Sequence, residues 1–176
     1  YGRLYGFPSE VRPAEGLAKL LADRGYVTAG FTGGGFMGAF FRYNLGFDHF
    51  VEHDARRYGG SDVRALPDVL DDVRALMARL DGAPLFVFVH TYAVHQLTPV
   101  ETDFAAHHIV LDQFVPNARQ LEQARQFYGQ LVRETDEILE AFFARLRALA
   151  SERPVLLVVL SDHGEAFGEH GNFRHG

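Results

Sequence analysis

The sequence contains no cysteine. Within these 176 residues this excludes disulfide bridges, thiolate metal sites and a cysteine nucleophile, and it leaves the redox compartment open. No apolar run approaches the roughly 20 residues that a membrane-spanning helix needs, so no membrane contact is evident in this segment. The net charge of −6 comes with no basic stripe, which argues against a nucleic-acid partner.

A nucleotide-binding loop is also missing. Three glycines at 33–35 are followed by Phe36 and Met37, whereas a P-loop needs Gly-Lys-Ser/Thr at this point. The spacing does not match a dinucleotide fingerprint either. We therefore discount nucleotide binding. What remains is a globular composition, since 47% of the residues are apolar and 23% are charged, and disorder is not expected.

Helical and strand-like segments alternate along the chain. The patterns predict, in order, a helix over 13–24, a strand over 26–31, an irregular segment over 36–60, a helix from Pro67 to Gly82, a strand over 85–89, a loop over 91–116, a helix that ends before Pro154 and a strand over 155–160. Asn117 and Gln120 are typical of a capping box at the start of the last helix. This alternation predicts an α/β fold with a mainly parallel sheet, flanking helices and the three strands as neighbours.

The last predicted strand ends in a polar segment that begins Ser161-Asp162-His163-Gly164-Glu165. Open α/β sheets place their sites at the carboxyl ends of the strands. A carboxylate and an imidazole side by side can bind one divalent ion. In the alternative interpretation, Asp162 caps a helix beside a surface histidine. Two ligands do not complete a zinc or calcium site, so a metal would need further ligands.

Histidines follow two of the predicted strands. His90 and His95 come after the second strand, and His163, His170 and His175 come after the third. If the strands are parallel neighbours, these groups converge on one edge of the sheet. His95 is interpreted as a donor for an oxyanion, with a solvated loop histidine as the alternative. His90, at the end of an apolar strand, is interpreted as a packed core histidine.

Four segments of the chain resemble the sulfatase family, within the alkaline-phosphatase-like superfamily. Residues 161–171, followed by His175-Gly176, resemble its C-terminal metal-binding segment. Residues 86–95 resemble the segment in which a strand leads to a substrate-binding histidine. Residues 17–31 resemble its helix-and-strand unit and residues 45–48 the usual sequel, so the resemblance spans nearly the whole chain in the right order.

The resemblance implies a sulfuric ester hydrolase with an alkaline-phosphatase-like fold. Asp162 and His163 would bind a divalent metal, with calcium preferred and manganese, magnesium or zinc as alternatives. His95 would contact the oxygens of a sulfate or phosphate ester, although Val94 stands where the family usually has proline. His175 falls where the family places a residue that binds the ester near its leaving oxygen.

The ends of the chain suggest an internal part of a single sulfatase-like catalytic domain over 1–176. The sequence starts at Tyr1 and stops within the polar cluster, so we expect the nucleophile and the other metal carboxylates upstream and no activity from this chain alone. In sulfatases that nucleophile is a formylglycine made from Cys or Ser. One alternative is a phosphodiesterase or a phosphoethanolamine or phosphoglycerol transferase of the same superfamily, with an upstream threonine. Another is a noncatalytic metal- or anion-binding module.

Overall fold

The computed structural model describes residues 16–53, 62–80, 82–95, 116–149, 151–171 and 173–174. The chain divides into two compact units. The first contains residues 1–60 and 68–91, and the second contains residues 61–67 and 92–176. In the part of the chain that the structure describes, no helix is both long and apolar enough to cross a membrane.

The first unit is built on a parallel three-stranded sheet. Its strands are β1 (Val27–Thr32), β2 (His49–Glu52) and β3 (Leu85–Val89), in the order β2-β1-β3. Strand β1 is parallel to both neighbours and is almost wholly buried, as expected for a central strand. This confirms the predicted strands over 26–31 and 85–89, and with them an α/β fold with a mainly parallel sheet.

Strand β2 lies inside a segment that was predicted to be irregular. Residues 36–60 do contain two short 3₁₀ turns, Gly35–Met37 and Ala39–Phe41, but the prediction is wrong for His49–Glu52. The strand is short, and only its two central residues, Phe50 and Val51, are apolar. Hydrogen bonds to β1 stabilise this strand. A pattern of two apolar residues in the sequence is too short to predict that pairing.

Asp48 fixes the entry into β2. Its carboxylate accepts the Thr28 N–H at 2.8 Å and lies 3.0 Å from the Thr28 hydroxyl oxygen. The Asp48 N–H in turn donates to the Thr28 carbonyl at 3.0 Å. Thr28 is fully buried, and Asp48 provides the side-chain acceptor for its N–H, whereas the Thr28 hydroxyl also lies 3.2 Å from the Gly46 carbonyl oxygen.

Replacing Asp48 by alanine should lower the free energy of unfolding by about 1–3 kcal/mol, because the buried Thr28 N–H loses its acceptor. Asp48→Asn keeps one acceptor oxygen and should cost less. Urea denaturation of both variants checks this. An alanine variant as stable as the parent protein would contradict the role given to Asp48.

Two helices belong wholly or mainly to the first unit. Helix α1 (Leu17–Ala22) lies within the predicted 13–24, of which 13–15 fall outside the described residues. Helix α2 (Asp62–Arg79) begins before Pro67, so the predicted start is wrong. Proline removes one helical hydrogen bond, but the additional turn buries Ala65 and Leu66 almost completely, which offsets that cost.

The second unit contains a long helix and a small hairpin. Helix α3 (Ala118–Leu149) starts with the predicted capping box, because the Asn117 and Gln120 side chains each accept the other's backbone N–H, at 3.0 and 2.9 Å. Strands β4 (Ala166–Phe167) and β5 (Phe173–Arg174) are antiparallel.

The predicted third strand, over residues 155–160, is wrong. The segment has no regular secondary structure, and Leu156 and Leu160 are 90% and 79% exposed. It belongs to the second unit, whose described residues contain no other strand than those of the hairpin. An apolar run indicates a preference for a buried strand, but it does not supply the hydrogen-bonding neighbour that a strand requires.

Candidate functional site

Asp162 and His163 lie in a bend that leads into β4 rather than into a helix, so the helix-cap interpretation of Asp162 does not hold. The Asp162 carboxylate accepts the His163 N–H at 3.1 Å. The Ser161 hydroxyl donates to the His163 carbonyl. These local hydrogen bonds stabilise the short turn of backbone that carries both the Asp162 and the His163 side chains.

A side-chain nitrogen of His163 and the carboxylate of Asp162 lie near each other. His163 Nδ1 lies 3.0 Å from the Gly164 carbonyl, which can only accept, so this hydrogen bond places the proton on Nδ1 and leaves a lone pair on Nε2. His163 Nε2 lies 3.7 Å from Asp162 Oδ2. Two ligand atoms on a tetrahedral zinc are about 3.3–3.6 Å apart, so this separation is slightly longer than that of two ligands on one zinc ion.

The pair is an incomplete site by itself. The Asp162 side chain is 85% exposed, which leaves space for an ion and further ligands. Among the residues described, however, no three His, Asp or Glu side chains are grouped so that they could hold a metal. Zinc takes at least three protein ligands and calcium takes six or more oxygens, so Asp162 and His163 would form only part of a metal site.

His95 lies beside this pair. It sits in a turn in which its N–H donates to the Tyr92 carbonyl at 2.8 Å. Its ring centroid is 6.4 Å from that of His163, and its Nδ1 is 3.9 Å from Glu165 Oε1. The structure therefore brings together two of the histidines that the sequence singled out, although residues 155–160 do not form the expected strand.

Glu165 is a part of this cluster that the sequence analysis did not single out. Its side chain is only 19% exposed and is the carboxylate that faces His95. Its one signal in the sequence is its place shortly after Asp162 and His163. That signal was too weak because an acidic residue in a polar loop is usually solvated.

Neither His90 nor His170 takes part in the two contacts that define this cluster among the described residues. His175 lies outside the described residues, so its predicted role stays a prediction. His170 has left-handed backbone with φ of 55° and is exposed. His90 belongs to the first unit, where its N–H donates to the Phe31 carbonyl at 2.8 Å and prolongs the contact of β3 with β1.

The glycine-rich turn at 33–35 has no phosphate-binding character. The Glu52 carboxylate lies against it, because a Cβ built at Gly34 would be 3.6 Å from Glu52 Oε2. The other carboxylate oxygen accepts the Ala39 N–H at 2.6 Å. A carboxylate in this place would repel a phosphate, which agrees with discounting a nucleotide site.

The β4–β5 hairpin links the Asp162–His163 pair to position 175. At its turn, the Glu169 carboxylate accepts the Phe167 N–H and binds Arg125 Nη2 of helix α3 at 2.8 Å. The pKa of Glu169 lies below its usual value because the Phe167 N–H, its own backbone N–H and then the Arg125 guanidinium stabilise the carboxylate. Glu169 is thus a charged partner of Arg125 at neutral pH.

Comparison with known proteins identifies the family. A family model described as Sulfatase matches residues 3–176, which is nearly the whole chain and includes all four site residues predicted from the sequence. Neither the curated proteins nor the solved structures compared with the chain gave a match. Sulfatase-family proteins are hydrolases that generally bind a divalent metal. The match confirms the resemblance seen in the sequence, and the chain belongs to the sulfatase family.

Proposed function

We propose that the chain is part of a metal-dependent hydrolase of sulfate esters. The observation that carries this proposal is the cluster in the second unit, in which the His95 ring lies 6.4 Å from the ring of His163. The donor atoms of His163 and Asp162 lie 3.7 Å apart, close enough for both to approach one ion after a small shift. A histidine that can donate to an oxyanion, beside two possible metal ligands, would support cleavage of a sulfate ester.

In this proposal, Asp162 and His163 hold the divalent ion. A bound ion supplies Lewis-acid polarisation of the ester oxygens. Asp162 contributes negative charge, and His163 contributes Nε2 because the Gly164 carbonyl holds the proton on Nδ1. Calcium is the preferred ion, with manganese, magnesium or zinc as alternatives.

His95 binds the ester oxygens. The Glu165 carboxylate lies 3.9 Å from Nδ1, beyond hydrogen-bonding distance, and places negative charge on that side of the ring. The opposite ring nitrogen can then donate to an oxygen on which negative charge develops. His175, which follows β5 directly, would bind the ester near its leaving oxygen, as the family resemblance implies.

Turnover of two classes of ester by the full-length protein tests the proposal. Aryl sulfate turnover should exceed aryl phosphodiester turnover, should stop when the metal is removed by a chelator, and should return when a divalent ion is added. A preference for phosphodiesters would favour the phosphodiesterase or phosphotransferase alternative. Metal binding without turnover of either ester would favour the noncatalytic module.

The 176-residue chain alone should turn over neither ester. It has no cysteine, and the Ser161 hydroxyl donates to the His163 carbonyl beside the proposed metal ligands instead of standing free as a nucleophile. Assays of the purified chain with aryl sulfates and phosphodiesters check this. Metal-dependent turnover that Ser161→Ala abolishes would show that the nucleophile lies within the chain.

A further inference from the structure

The β4–β5 hairpin lies between the residues to which the proposed function assigns roles. Its first strand begins at Ala166, shortly after Asp162 and His163, and its second strand ends at Arg174, directly before His175. Each strand contains only two residues, so the hairpin's own ladder is too small to hold it in place. Its position must come from what it packs against.

Helix α3 provides that support at one place. Arg125 Nη2 binds Glu169 Oε1 at 2.8 Å and approaches the Phe167 carbonyl at 3.5 Å. The guanidinium carbon is 5.9 Å from the centre of the Phe167 ring, and the ring of Tyr128, almost one helical turn further on, is 5.4 Å from that ring. A single arginine therefore contacts the first strand and the turn of the hairpin.

The turn itself is fitted closely to the helix. Gly168 has a φ of 99°, a conformation that side chains disfavour. A Cβ at this position would also lie 2.9 Å from Leu121 Cδ1 of helix α3. At Gly168 the backbone of the hairpin is therefore so close to helix α3 that a side chain would not fit between them without a shift of Leu121. This close packing restricts the position of the hairpin on the helix.

From these contacts we infer that Arg125 is a positioning residue for the ester-cleaving site. Through Glu169 and Phe167 it holds the hairpin on helix α3, and so it helps to fix the position of the Asp162–His163 turn, which leads directly into that hairpin. The inference rests on the proposed function. Arg125 itself touches neither the metal pair nor His95 among the contacts that the structure shows.

The test compares arginine variants of the full-length protein by steady-state kinetics on an aryl sulfate and by hydrogen exchange over residues 162–174. Arg125→Ala should lower kcat by about 3–10-fold, less than the 10–100-fold cost of losing a group that contacts a metal ligand directly, because the Arg125–Glu169 pair is half exposed and acts only through the hairpin. KM should change by less than about threefold, because placement of the reacting groups matters most in the transition state. Exchange in the hairpin should become faster.

Three further variants separate positioning from a general loss of structure. Arg125→Lys keeps the positive charge but lacks the planar guanidinium group with its several N–H donors. Its kcat should lie between those of Arg125→Ala and the parent protein. Glu169→Gln removes the charge that pairs with Arg125 but keeps an acceptor for the Phe167 N–H, and it should lower kcat in the same direction as Arg125→Ala but by less. Arg145→Ala removes an exposed arginine from the same helix, about 30 Å further along it, and should leave both readouts unchanged.

Two results would overturn the inference, and they can be told apart. If the parent protein turns over the ester and Arg125→Ala matches Arg145→Ala in kcat and in exchange, Arg125 has no positioning role and the proposed function stands. If the parent protein turns over no ester, the proposed function fails and the role in that reaction fails with it.

Discussion

Asp162→Ala in the full-length protein should lower the affinity for the divalent metal by about 100-fold or more, beyond the 10–100-fold usual for an outer-shell partner. The carboxylate supplies charge as well as an oxygen ligand, and the imidazole nitrogen of His163 replaces neither of them for a hard cation such as calcium. Ester turnover should fall with metal occupancy. Elemental analysis of the purified protein, followed by a metal titration, measures the loss.

Two control variants show whether the loss is specific to the proposed site. Asp136→Ala removes an exposed carboxylate from helix α3 and should leave metal content unchanged. His107→Ala, a change at a histidine to which the proposal gives no role, should also have no effect. Equal metal occupancy in Asp162→Ala and in these controls would mean that Asp162 only stabilises its own turn, through the hydrogen bond to the His163 N–H.

His95→Ala should lower kcat by about 100-fold or more, since the loss of one donor to a developing oxyanion typically has this effect. Metal content should stay at the parent level, because His95 is assigned to the ester and not to the ion. Kinetics with an aryl sulfate, together with elemental analysis of the same preparation, separates the two roles. A fall in metal content would instead make His95 a ligand.

His49 offers a matched control for His95. It is an exposed histidine of strand β2 in the first unit, with no role in the proposal. His49→Ala should leave kcat and metal content unchanged. If His95→Ala and His49→Ala gave the same kcat, the position of His95 near His163 would have no consequence for the reaction.

Much of the first unit could be predicted because its signals are local. The apolar runs that become β1 and β3 are bounded by glycine, proline and helical segments, and the sheet pairs them in parallel as the alternation indicated. The capping box of Asn117 and Gln120 was equally predictable, because both partners lie within one turn. The two partners of the capping box are three residues apart in the sequence. Strands β1 and β3 are far apart in the sequence, but a helix lies between them, which is the usual arrangement for parallel strands of one sheet.

Where the prediction failed, the determining partner is distant in sequence. Strand β2 depends on β1 and on the hydrogen bonds between Asp48 and Thr28, which a four-residue pattern does not reveal. The run over 155–160 has the composition of a buried strand, yet the residues described show no partner strand for it. Hydrophobicity measures the free energy available from burial and does not identify the surface that provides it.

The site shows the same division. Asp162 and His163 could be proposed as metal ligands from their order and from the resemblance, but the proximity of His95 to Glu165 depends on how two loops of the second unit meet. The support from Arg125 was also hidden, because an arginine on the polar face of a long amphipathic helix is usually solvated. The contact of Arg125 with the hairpin is visible only in the folded structure.

The position of a bound ion tests the central claim most directly. Crystals of the full-length protein grown with manganese would give an anomalous scattering peak at the metal. The proposal expects this peak within about 2.0–2.6 Å of both Asp162 Oδ2 and His163 Nε2. A fully occupied ion elsewhere, with Asp162 and His163 contacting only each other and their own backbone, would contradict it.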